Sequence, residues 1–210
     1  GENASEVFVF IDTFIRYFEP ENARAAIAVL NAAGYKVRVA QPADGGRPLC
    51  CGRTFLASGL VDEAAAEARR VVETFKPYVE RGVPVVGLEP SCLLGLRDEF
   101  LSMLPGSDTR QLAMKAFLFE EFLAREHAAG RLNLKLRPLR EKKAWLHGHC
   151  HQKAFAVMPD VERVLKLVPG LAVETIESSC CGMAGAFGYG ADTIDVSLKM
   201  GELSLLPVGG

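Results

Sequence analysis

The tripeptide Cys-Cys-Gly occurs twice, at Cys50-Cys51-Gly52 and Cys180-Cys181-Gly182, and each copy follows an apolar stretch of strand length. Neighbouring residues of an extended strand point to opposite faces, so two adjacent cysteines can face one centre only if the chain turns there. The glycine that follows supplies that turn, because it adopts positive φ without a steric penalty and lets the backbone pass close to a bulky group. The other two cysteines sit at comparable places, Cys92 in Glu89-Pro90-Ser91-Cys92 and Cys150 in His149-Cys150-His151. All six therefore fall at strand-to-helix turns. A cysteine used only as a small hydrophobe would fall anywhere in a core, so this placement favours chemistry over packing.

Around these turns the chain alternates apolar strands with amphipathic helices, the pattern of a parallel sheet covered on both faces. Val7–Ile11, Tyr35–Ala40 and Val83–Leu88 read as strands, with helices over Pro20–Gly34, Ser58–Arg81, a short segment to about Leu104, and Gln111–Ala128. The pattern then starts again. Strands over Lys143–Gly148 and Leu171–Ile176 flank a helical segment reaching Val168, and a last helix lies within Ala191–Gly201. Both parts share the order strand, helix, strand, Cys-Cys-Gly, helix, with Asp12-Thr13 aligned on His149-Cys150. The expected fold is α/β, with two pseudo-symmetric Rossmann-like halves, each with a parallel sheet and a Cys-Cys-Gly loop. The halves are residues 1–135 and 136–210.

Composition narrows the function classes. The net charge is −2 and cations are interspersed with anions, which argues against nucleic acid as a partner. No apolar run approaches membrane-spanning length, and the first one, at Val7, is too short for a signal peptide. Six cysteines without an export signal imply a reducing compartment, so metal binding or redox chemistry is expected rather than disulfides. The expected location is the cytoplasm, with at most a peripheral place at the inner face of the membrane. Structural zinc sites usually bring Cys-x-x-Cys knuckles and ferredoxins bring Cys-x-x-Cys-x-x-Cys runs; neither spacing occurs here. Helix N-terminal amides next to the cysteines are expected to favour thiolates. Arg53 and Lys153 are candidates to offset their charge or, equally, solvated surface cations.

The segments Leu49-Cys50-Cys51-Gly52, Glu89-Pro90-Ser91-Cys92, His149-Cys150-His151-Gln152-Lys153-Ala154 and Ser179-Cys180-Cys181-Gly182-Met183-Ala184-Gly185 resemble the cysteine-rich CCG domain. That domain occurs in heterodisulfide reductases, in the iron–sulfur subunits of glycolate oxidase and anaerobic glycerol-3-phosphate dehydrogenase, in lactate-utilisation proteins and in fused FAD-linked 2-hydroxyacid dehydrogenases. The resemblance implies an iron–sulfur electron-transfer domain with Cys50, Cys51, Cys92, Cys150, Cys180 and Cys181 as ligands and His149 and His151 as further candidate metal ligands. It also implies an FAD-containing dehydrogenase domain or subunit and a ferredoxin-type iron–sulfur domain as partners, a quinone or other carrier as acceptor, and no catalytic residue in this chain itself. Thr13 and Gly95 stand where the fully equipped pattern has cysteines, and the second half stops before a further cysteine segment. Each half thus keeps three thiolates. The implied cofactor is an iron–sulfur cluster, four-iron with an incomplete ligand set, or zinc in its place.

Other readings are weaker. His147, His149 and His151 alternate and are expected to share one strand face opposite Cys150, where a ring could serve as ligand or proton relay. A Cys–His nucleophile explains Cys150 less well than the flanking cysteine pairs do. The glycines from Gly182 to Gly190 fail the G-x-G-x-x-G dinucleotide pattern. The rival to an electron-transfer role is a zinc-braced or metal-free docking module without redox function. A thiol-disulfide enzyme working through the vicinal pairs comes third.

Overall fold

A computed structural model describes residues 5–178, 180–183 and 187–209. Gly1, Glu2 and Asn3, and Ser179, Ala184, Gly185 and Ala186 of the second Cys-Cys-Gly segment, lie outside the described residues. The chain divides into two compact units, Gly1–Leu134 and Lys135–Gly210.

In the first unit, β1 (Glu6–Phe10) is buried at consecutive positions: Val7, Phe8, Val9 and Phe10 are all shielded from solvent. Alternate residues of a strand face opposite ways, so burial of all four requires cover on both faces of the sheet. One cover is α4 (Val61–Val79), whose Phe75 ring meets Phe8 and Phe10 edge-on at centroid distances of 6.2 and 6.0 Å. Four strands, β2 (Lys36–Val39), β1, β3 (Val85–Gly87) and β4 (Ala116–Leu118), pair in that spatial order, and each pairing is parallel. The carboxyl ends of all four strands thus share one edge.

The connecting helices are more broken than the sequence pattern implies. A five-residue helix, α1 (Thr13–Tyr17), precedes α2 (Pro20–Ala32). The long helix expected over Ser58–Arg81 is α4 alone, because Gly59 at φ +77° separates it from a short α3 (Arg53–Ala57). After β3 come α5 (Pro90–Gly95) and α6 (Glu99–Met103). The helix expected over Gln111–Ala128 is in fact α7 (Ser107–Lys115), β4 and α8 (Phe119–Ala128). The run Ala116-Phe117-Leu118 fits a helical period equally well. It is a strand because β3 supplies its hydrogen-bonding partners, with Val85, Val86 and Gly87 opposite Ala116, Phe117 and Leu118.

The second unit pairs β5 (Lys143–Leu146) with β6 (Ala172–Thr175) in parallel, linked through α9 (Cys150–Ala154) and α10 (Met158–Leu165). It closes with α11 (Ile194–Glu202) and α12 (Leu206–Gly209). The chain is a mixed α/β protein with Rossmann-like parallel sheets. Among the described residues no helix is long and apolar enough to cross a membrane.

Candidate functional site

Asp12 closes β1 as the buried N-cap of α1, where its carboxylate accepts the amides of Phe14 (2.9 Å) and Ile15 (3.1 Å). Next to it, the Thr13 side chain hydrogen-bonds the Cys50 sulfur. After β3, Glu89 caps α5 by accepting the Ser91 amide at 3.2 Å, and Cys92 lies in the first turn of that helix. The Cys50-Cys51 turn reaches the same edge of the sheet after β2. There the Cys51 thiol donates to the Cys92 sulfur at 2.9 Å, and Cys50 bonds to Cys51 in turn. Three segments distant in sequence thus form one file of contacts, Thr13, Cys50, Cys51 and Cys92. Exposure falls along it: Cys50 is half-buried, Cys51 is 6% exposed and Cys92 is 1% exposed.

Two glycines set these positions. Gly52 has φ +75°, and a Cβ there would lie 2.9 Å from the Ala64 carbonyl oxygen, so the turn is pressed against α4. A Cβ on Gly87 would lie 2.6 Å from Leu93 Cδ1, so the end of β3 is pressed against α5 just where Cys92 emerges. Glycine is required at both places, by backbone conformation at the first and by close approach at both. A buried anion supports the first turn from behind. The Glu67 carboxylate on α4 pairs with Arg47 and, at 3.2 Å, with Arg70, whose guanidinium also reaches Asp44 and the Arg47 carbonyl. This network ties the loop before Cys50 to the helix behind it.

The electrostatics run against the expected thiolates. The Gly52 amide lies 3.5 Å from the Cys50 sulfur and the Arg53 amide bonds to Cys51, and each favours the anion. Mutual contact and burial outweigh them. The hydrogen bond to Cys51, followed by burial, drives the Cys50 thiol well up. The bond to Cys50 favours the Cys51 anion, yet the Cys92 contact and burial leave its thiol higher still. The bond to Cys51 acts the same way on Cys92, but burial and the carboxylates of Asp12 and Glu89 raise it on balance. Asp12 itself is lifted from 3.8 to about 6, chiefly by burial. Without a metal the cluster is a set of neutral thiols, and a cation binding there displaces protons. Arg53 is drawn into an ion pair with Glu99, so it is not dedicated to the sulfurs.

The second unit repeats the arrangement locally. His149 caps α9 as Asp12 caps α1, its Nδ1 accepting the His151 amide at 3.1 Å, and Cys150 begins the helix as Thr13 begins α1. Cys150 contacts Cys180, with Cys181 close enough to act on it; burial and then these two sulfurs raise its thiol. The Gly182 amide lies 3.4 Å from the Cys180 sulfur, and with φ +78° Gly182 abuts Ser197 of α11, as Gly52 abuts α4. The expected common strand face for the histidines is not formed, because β5 ends at Leu146. Instead His147 Nδ1 pairs with Ser178 Oγ at 2.7 Å, while the rings of His149 and His151 lie 5.2 Å apart beyond the strand. Burial, then Lys153, lowers the His147 pKa. The Lys153 ammonium is held by Ser178, at 3.3 Å from Oγ and closer to the carbonyl.

Among the described residues no three His, Cys, Asp or Glu side chains are arranged to hold a single metal ion. In donor chemistry, however, three soft sulfurs gathered at a parallel sheet's carboxyl edge suit an iron–sulfur cluster. Sequence reasoning missed Asp12 as a buried acid beside the sulfurs. The available signal was an acidic residue directly after a buried strand, the position of a helix N-cap.

Comparison with known proteins matches residues 12–97 to the cysteine-rich domain CCG. The C-type component of anaerobic glycerol-3-phosphate dehydrogenase from Escherichia coli (strain K12) is 30% identical over 197 residues, which are 93% of this chain and 48% of that protein. D-2-hydroxyglutarate dehydrogenase from Pantoea ananatis is 25% identical over 98% of this chain and 19% of its own length. Lactate utilization protein A from Bacillus velezensis is 24% identical over 95% of this chain and 77% of its own length. The chain thus spans about half the length of the first of these relatives and about a fifth of the second. The matched residues run from the cap of α1 through the Cys-Cys-Gly turn and past Cys92, and so hold every member of the first sulfur file; this chain carries a cysteine-rich CCG domain.

Proposed function

We propose that this chain is the iron–sulfur electron-transfer part of an FAD-linked dehydrogenase or oxidase acting on a 2-hydroxyacid of the lactate or glycolate type. Cys50, Cys51 and Cys92 are the cluster ligands of the first unit and Cys150, Cys180 and Cys181 the matching set of the second. The FAD lies on another domain or subunit, with a ferredoxin-type iron–sulfur domain as a further partner and a quinone or another carrier as final acceptor. The protein works in the cytoplasm, at most peripherally attached to the membrane. The observation that carries this reading is the convergence of Cys50, Cys51 and Cys92 from three separate segments. The similarity to dehydrogenases and to a lactate utilization protein supports the substrate class.

A bound iron–sulfur cluster supplies a one-electron carrier whose potential depends on hydrogen bonds to sulfur and on solvent exposure. The chain's own residues set both. The Gly52 and Arg53 amides direct hydrogen bonds at Cys50 and Cys51. Leu93, Leu94 and Leu96 exclude water behind Cys92, each fully buried. Half-buried Cys50 leaves the outer end of the file open to a partner.

Anaerobic reconstitution with iron and sulfide should give a brown protein with acid-labile sulfide, and Cys51→Ala or Cys180→Ala should remove most of it. Colourless protein without iron under those conditions overturns the reading. Stoichiometric zinc, in protein purified without oxygen, that excess iron and sulfide fail to displace would instead favour a docking module without redox function.

A further inference from the structure

We propose that Cys51 and Cys92 are a redox-active thiol pair: in the metal-free protein they oxidise to an intramolecular disulfide that joins the Cys-Cys-Gly turn to α5, with Cys50 as the outer thiol through which a small disulfide reacts. Their sulfurs stand 2.9 Å apart, and bond formation requires an approach to about 2.05 Å. The elements that carry them already pack together, since α3, which follows the turn, contacts α5. Both attachment points are held in place, Gly52 against α4 and Gly87 against Leu93 of α5.

Adjacent cysteines are the more obvious pair in the sequence. A bond between Cys50 and Cys51 closes an eight-membered ring through their own peptide unit, which strains that planar group. Cys92 approaches Cys51 from another segment and closes no such ring. Cys51 and Cys92 are buried, whereas Cys50 is half-buried and touches Cys51. Oxidation therefore runs inward along the file. The Cys50 sulfur attacks a low-molecular-weight disulfide and releases one equivalent of its thiol. The Cys51 sulfur displaces the second equivalent from Cys50, forming the strained ring. The Cys92 sulfur then attacks Cys51 Sγ, giving the Cys51–Cys92 bond and returning Cys50 to a thiol. One small disulfide is reduced to two thiols, and two protein thiols become one disulfide. The product withdraws two of the unit's three sulfurs from metal binding, and that consequence alone rests on the iron–sulfur reading.

The test treats the full metal-free chain with oxidised glutathione under argon, quenches with acid, alkylates with N-ethylmaleimide and maps the linkages by non-reducing proteolysis and tandem mass spectrometry. The expected product has the Cys92 peptide joined to Cys51, with Cys50 alkylated. Recovery of Cys92 alkylated, or a bond between Cys50 and Cys51 as the final product, overturns the proposal. Cys92→Ser should stop the reaction at Cys50, as a glutathione adduct or a vicinal bond, with circular dichroism unchanged. Cys50→Ser should reach the same bond at least tenfold more slowly, and an unchanged rate overturns the role of Cys50. Iron and sulfide uptake is measured on the same samples. Uptake by reduced protein, lost on oxidation and restored by a dithiol, supports the pair as a gate on cofactor assembly, and undiminished uptake by oxidised protein overturns it. If the bond forms but neither sample takes up iron, the thiol pair stands and the iron–sulfur reading falls.

Discussion

At the scale of single residues, the telling feature is an acid where water cannot reach it. Asp12 is 1% exposed, caps α1 through two amides and still titrates near 6, because burial outweighs those bonds. Its folded-state pKa lies above the ordinary 3.8, so the native protein holds this proton more tightly than the unfolded chain does. The contribution to stability is complete below pH 4, declines as pH rises, and is gone above about pH 6. A shift of this size corresponds to about 2–3 kcal/mol. Asn caps helices about as well as Asp without the charge. Metal-free Asp12→Asn should therefore match the wild type at pH 4 and exceed it by about 2 kcal/mol at pH 7 in urea unfolding. Equal stability differences at the two pH values would refute this account. The acid itself stands plainly in the sequence after Val7–Ile11, but its burial depends on α5 and the sulfur file closing over it.

At the scale of elements, the Cys-Cys-Gly turn is a backbone device as much as a pair of thiols. A methyl group on Gly52 meets the Ala64 carbonyl oxygen at 2.9 Å, whereas one on Gly34, also at positive φ, meets nothing within 4 Å. Gly34→Ala should cost only the left-handed conformation, about 1 kcal/mol. Gly52→Ala adds the clash with α4 and should cost about 2–4 kcal/mol, while speeding Cys51 alkylation in the metal-free protein. Equal losses at the two sites, read from denaturant unfolding, would mean that close packing on α4 contributes nothing. Both glycines were visible in the sequence as turn residues. Only the packing distinguishes them, since neither neighbour is close in sequence.

At the scale of the whole molecule, the two units are joined through a segment that forms no helix or strand. Residues 131–142 have no regular structure apart from a bend at Arg140, and Lys135, Arg137, Arg140 and Lys142 are exposed within it. An exposed, unpaired backbone rich in cations is a preferred site of proteolytic nicking. Limited trypsin digestion should cleave first after Lys135, Arg140 or Lys142 and release fragments close to Gly1–Leu134 and Lys135–Gly210. First cleavage inside α4 or α8, read by intact mass, would contradict this.

Local chemistry in the sequence was enough for the α/β class, the repeated strand–helix–strand–Cys-Cys-Gly order and the placing of every cysteine at a turn, because apolar periodicity and glycine conformational freedom act between near neighbours. It was not enough for β4, whose strand character comes from pairing with β3, or for the histidines, which β5 releases before they can line a face. The protonation state of the thiols was also out of reach. Local amides argue for thiolates, and the opposing effects come from sulfurs and carboxylates brought together from Asp12, Glu89 and Cys92. The same folding selects Cys92, rather than the adjacent Cys50, as the partner that Cys51 reaches without ring strain, because proximity across forty residues of chain is created by the sheet edge alone.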